Sequence, residues 1–185
     1  MSTLFVNNLN TASGTTITIP TGKKLIGTDA GGIIAPGMIL QTIMNSKTTQ
    51  ASTTVTDLAN PVDYLSATIT PKFSSSTILV RGSLNAGGDA AGIGVNIFIK
   101  AGGSFMTTSE LGNDQAGLLD YGFGRASSGT NYGSMFSFEV LDSPATTNAF
   151  TYTIAFGRYG GSGTAYVGWH NNKSRSSLTL MEIAE

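Results

Sequence analysis

Chemistry at neutral pH needs a titratable base, a metal or a pair of acids, and this chain offers few such groups. It holds one histidine, His170, in the segment WHNNKSR, and no cysteine. Disulfides and cysteine-based metal sites are therefore excluded. A lone His beside Trp169 and two asparagines, in a predicted hairpin loop, reads as an exposed turn residue. Further metal ligands at readable spacing do not accompany it. No serine sits in a G-x-S-x-G context, so an activated serine has no support. The acids Glu110, Asp114, Asp120 and Glu139 lie in or beside the irregular middle of the chain. They are the candidates for a glycosidase-type carboxylate pair. Their dispersal over loops is that of solvated acids, and the chain lacks the repeat of polysaccharide-cutting β-helices. The glycine-rich stretches GGDAAGIG and GRYGGSGTAY lack the GK[ST] ending of a phosphate-binding loop. They read as hairpin turns in which glycine supplies positive φ. The expectation is no enzyme, no cofactor and no metal.

Binding has better material. Tyr121, Arg125, Tyr159, Trp169 and His170 all sit in or beside predicted loops among small polar residues. Aromatic rings there offer a large contact face at low entropic cost, which suits recognition of carbohydrate or protein. For Trp169, with Tyr166, capping the core is the competing reading.

The elements that must position these residues are strands. Charged residues make up 11% of the 185, well under the roughly 25% of ordinary soluble domains. Serine and threonine number 45 and glycine 24, the composition of extended, hydroxyl-rich structure. Ten basic and 11 acidic residues leave a net charge of −1. A nucleic-acid partner, which calls for a basic excess, is not expected. No apolar run reaches the ~18 residues of a membrane span, and the N-terminus lacks the apolar core of a secretory signal.

Residues 4–41 are short runs of β-branched residues broken by glycine and proline, too thin to bury a core. They predict either a symmetric β-stalk completed by copies of itself or an arm that docks elsewhere. From Met38 the runs lengthen. Leu65, Ala67 and Ile69 alternate on one face, as do Ile93, Val95, Ile97 and Ile99. The same holds for Phe136, Phe138 and Val140, and for Phe150, Tyr152, Ile154 and Phe156. With further runs at 38–44, 77–84, 164–169 and 177–183, about eight strands follow at roughly 8–14-residue spacing. Glycine-rich turns are expected at 86–92 and a turn at 142–148. This predicts an all-β chain. Residues 1–36 form a short extended N-terminal β stalk or anchor, and residues 37–185 an antiparallel β-sandwich head of jelly-roll type.

Five blocks carry a resemblance: ITIPTGKKLIGTDAGGIIAPGMILQ, ATITPKFSSSTILV, VLDSPATTNAFTYTIAFG, GTAYVGW and SSLTLMEIA. In that order, over roughly residues 15–184, they resemble the C-terminal fibre heads and other virion structural proteins of tailed bacteriophages. The resemblance implies a homotrimeric appendage assembled in the host cytoplasm and exposed on the particle. Its head faces outward to a host surface glycan or protein. The N-terminal segment faces other virion proteins, which makes Leu4, Phe5, Val6, Ile17 and Ile19 the anchoring candidates. Tail fibres of that kind begin with a large adaptor domain, whereas this chain begins almost at the linker. A capsid knob, and a decoration protein that cements the shell, therefore stay open beside a tail fibre.

Overall fold

The computed structural model describes residues 21–24, 26, 33–107, 111, 116–124, 132–168 and 174–185. The anchoring candidates Leu4, Phe5, Val6, Ile17 and Ile19 lie outside the described residues. The chain divides into two compact units, Met1–Ile34 and Ala35–Glu185. The second unit begins where the backbone enters the sheet. Met38 N–H donates to Ala35 O, Gly37 N–H donates to Ala184 O at 2.7 Å, and Ala184 N–H returns the bond to Met38 O.

Eleven strands lie among the described residues: β1 (Ile39–Lys47), β2 (Ala51–Thr53), β3 (Val62–Ile69), β4 (Thr77–Gly88), β5 (Gly94–Ala101), β6 (Ser104–Phe105), β7 (Leu118–Phe123), β8 (Tyr132–Asp142), β9 (Phe150–Tyr159), β10 (Ala165–Val167) and β11 (Ser176–Ile183). They form two antiparallel sheets. In the first, the long strand β4 is shared. Its first half pairs with β11, and β11 with β1; its last three residues pair with β10, and β10 with β2. The opposite edge of β4 pairs along its length with β8. In the second sheet β3 pairs with β9 and β9 with β5; β6 and β7 follow on the far side of β5.

Taking the eight principal strands alone, the orders are β1-β11-β4-β8 and β3-β9-β5-β7. Successive strands cross between sheets, except β5 and β7, which pair within the second; this is the arrangement of a jelly roll. The all-β sandwich expected from the alternating runs is the fold observed. The core lies between the sheets. Ile78, Val80, Leu84, Leu178 and Leu180 of the first sheet meet Leu65, Ile69, Val95, Ile97, Ile154 and Phe156 of the second, all buried. Each such side chain contributes on the order of 1.5–3 kcal/mol on burial.

Two sequence expectations need correction. The turn expected at 86–92 is shorter, because β4 runs on through Gly87 and Gly88, which pair with Gly133 and Tyr132. Gly88 is glycine for want of space: a Cβ there would stand 2.5 Å from the Ile93 side chain. Strand β1 likewise extends past the run expected at 38–44, through Asn45 and Lys47, since Ser176 and Ser177 of β11 are there to pair with it.

Candidate functional site

Of the five receptor-contact candidates, Tyr121 and Tyr159 are brought together; Arg125, Trp169 and His170 lie outside the described residues. The two tyrosines sit 38 positions apart in sequence. Their ring centroids are 4.7 Å apart with planes at 73°, an edge-to-face pair. Strand β5 is the reason. It pairs with β9 on one side and with β7 on the other, and its first residue, Gly94, lies opposite Tyr159. With no side chain at Gly94, the two rings meet across the strand.

A bulge aims Tyr121. Between Val95 and Ile97 the register of β7 slips, so that Phe123 and Asp120 face residues only two apart on β5. The extra residue is taken up at Gly122, whose φ is +76° and whose N–H donates to Asn96 Oδ1 at 3.0 Å. A bulge of this kind re-aims its neighbour's side chain. A Cβ at Gly122 would touch the Tyr159 ring at 3.0 Å, and one at Gly94 would stand 2.6 Å from Gly122 O. Backbone therefore presses on backbone beneath the rings, and the pair is held from below. Tyr121 remains 58% exposed, so the ledge presents a ring to solvent.

Asn96 is the residue that sequence reasoning missed. It is buried, accepts from Gly122 and reaches Arg158 O with its amide at 3.5 Å. The available signal was a lone amide inside the apolar run IGVNIFIK, since a polar side chain in such a place needs a partner.

The neighbouring end of the sandwich is fastened by Asp89. Its Oδ1 accepts Thr164 N–H at 2.7 Å, and Asp89 N–H donates to Thr164 O at 3.2 Å. Tyr166 O–H reaches Oδ2 at 3.4 Å. The backbone bond from Thr164 holds the Asp89 carboxyl below its ordinary pKa. Arg158 Nη1 donates to Gly163 O at 3.2 Å in the same loop. The loops 89–93 and 160–164 thus form a fixed rim.

Glu139 stands on the outer face of the first sheet, its Oε1 2.7 Å from Arg81 Nε, with both side chains more than half exposed. Asp120 is half-buried on β7 opposite Ile97. Glu110 and Asp114 lie outside the described residues. Among the described residues no three His, Cys, Asp or Glu side chains gather to hold a metal ion. What the ledge offers is contact: a rigid aromatic pair over glycine backbone, with the Tyr121 ring exposed.

No protein-family profile matches the chain, and no curated protein matches it. Several solved structures show a distant likeness, among them two of one virus. The crystal structure of the infectious bursal disease virus VP2 subviral particle matches at a TM-score of 0.37 with 12% identity, over 88% of this chain and 42% of that one. The structure of the infectious bursal disease virus Gx strain matches at 0.37 and 12%, over 77% and 36%. The chain spans about two-fifths of the length of these proteins, and a likeness at this level carries no functional argument.

Proposed function

We propose that this chain is a structural protein of a bacteriophage virion, a short homotrimeric fibre or knob. Its jelly-roll head makes contact with the host cell surface. The observation that carries the reading is the Tyr121–Tyr159 ledge: an aromatic pair kept 58% exposed at Tyr121 although the fold holds it rigidly from beneath. A ring whose position costs a bulge, a positive-φ glycine and a buried asparagine is more than an incidental surface residue. Pre-organised aromatics of this kind bind sugar rings or protein side chains without a large ordering cost.

Immunogold microscopy of intact virions, with antibody to the purified chain, tests the location. Label on an appendage is the expected result; label spread evenly over the shell would replace the fibre with a decoration protein. Cell binding tests the ledge. Labelled protein should bind host cells, and Tyr121→Ala should weaken that binding roughly three- to tenfold, the effect of one lost aromatic contact. Unchanged binding by the variant would remove Tyr121 from the contact.

A further inference from the structure

The outer face of the first sheet is a row-by-row array, and the pairing registers fix its contents. One row across β1, β11, β4 and β8 reads Thr42, Met181, Leu79, Leu141. The next reads Met44, Thr179, Arg81, Glu139, and the next is four serines, Ser46, Ser177, Ser83 and Ser137. Asn85 and Met135 continue beyond them, and Ile39 and Ile183 stand at the other end. Met44 and Met135 are each 62% exposed, Ile39 57% and Leu141 56%.

The outer face of the second sheet differs in kind. There Ser66 bonds Thr153 and Thr68 bonds Thr151 at 2.9 and 2.8 Å, and Lys100 pairs with Asp63. Beside the Tyr121–Tyr159 ledge, the second sheet is polar where β3 meets β9. The first sheet exposes large apolar side chains on both of its edge strands.

We infer that the outer face of the β1-β11-β4-β8 sheet is the surface on which a second copy of this chain docks. Two features select a copy over a partner of other chemistry. The first is charge. The described rows carry one basic and one acidic side chain, Arg81 and Glu139, already paired with each other. A partner of either net charge finds no free counter-charge there, whereas a copy brings the same closed pair and leaves nothing unpaired on burial.

The second feature is shape. The tall side chains Met44, Met135 and Leu141 stand on the edge strands β1 and β8. The central strands contribute Ser83, Ser177 and Thr179 to the floor of a hollow of about 420 Å³. The face thus holds both knob and hole, and an edge of one copy seats on the floor of the next. Such a contact is heterologous, and it closes into a ring when the rotation between copies is a whole fraction of a turn. Methionine at the rim adapts to the seat without a fixed rotamer.

Four strands about 4.8 Å apart and rows spanning roughly 27 Å give about 500 Å² per face. In a ring of three that face is shared between two neighbours, so each contact buries roughly 500 Å² and the closed trimer roughly 1,500 Å² in all. One such contact alone is weak, and assembly depends on closing the ring.

This inference rests on the self-associating head proposed above, and light scattering of the full-length chain separates the two. Wild type is expected near three times its 19.1 kDa mass. Leu141→Glu and Met135→Glu should each fall to the monomer mass, while Thr68→Glu on the other sheet stays assembled. A circular-dichroism melt checks that the variants remain folded, as substitution at positions this exposed should allow. If both variants assemble like wild type, self-association stands and this face is overturned. If wild type is itself a monomer, the self-docking face and the homotrimer both fail, the surface passes to a particle protein of other sequence, and the cell-binding test is unaffected.

Discussion

At the scale of single residues, Glu182 is the side chain the sandwich depends on most. It is fully buried on β11, and its carboxylate gathers three parts of the fold. Oε2 accepts Gln41 Nε2 of β1 at 2.6 Å. Oε1 accepts Lys72 N–H and Ser76 O–H at 2.7 Å each, and Phe73 N–H at 3.3 Å. Burial pushes this carboxyl up, and the bonds from Gln41, Ser76, Lys72 and Phe73 more than reverse it, so its pKa lies below the ordinary value. A carboxylate depressed in the folded state adds stability that is complete above its unfolded pKa and lost as pH falls through the folded one. Thermal stability should therefore decline below about pH 4. Glu182→Gln should cost about 1.5–3 kcal/mol at neutral pH, the range for bonds to a charged group. It should also flatten that acid decline. A variant whose melting temperature keeps the full wild-type pH dependence would show that Glu182 is not the group responsible.

At the scale of elements, the β4–β8 pair depends on a missing side chain. Gly82 lies opposite Phe138, and a Cβ there would stand 2.1 Å from the ring. Phe138 lies over the glycine and in turn meets Phe136 at 6.0 Å between centroids, so an aromatic row closes this side of the core. Gly82→Val should force Phe138 from its seat and destabilise the chain by about 1–3 kcal/mol, the usual cost of overpacking. For a domain of this size a drop of several degrees in Tm should follow. An unchanged melt would mean that the ring finds an equal position elsewhere. The Arg81–Glu139 pair on the opposite face of the same strands is a weak contributor within one chain. Exposed pairs of this kind contribute roughly 0–1 kcal/mol.

At the scale of the whole molecule, the sandwich of Ala35–Glu185 closes on itself. The bonds of Gly37 and Met38 with Ala184 tie its first and last segments together. A chain of residues 35–185 should melt in one cooperative step within about 4 °C of full length, a difference worth on the order of 1 kcal/mol. Calorimetry on the two proteins at equal concentration is the check. A larger loss would show that residues 1–34 stabilise the sandwich.

Alternation along the chain determined the fold class, because a side chain's face in a strand depends only on whether its position is odd or even. Leu65, Ala67 and Ile69, or Tyr152, Ile154 and Phe156, announce their burial in the sequence itself, and the structure buries each of them. Tyr121 and Tyr159 were legible as aromatics beside loops, but their union was not. It depends on β5 lying between β9 and β7, and on a bulge at Gly122 that no local pattern specifies. The same is true of the row of four serines, each from a different strand, and of the carboxylate of Glu182 inside an apolar C-terminal run. Local chemistry sets which face a residue takes. Only long-range pairing, which joins segments from tens to more than a hundred positions apart, decides what stands beside it.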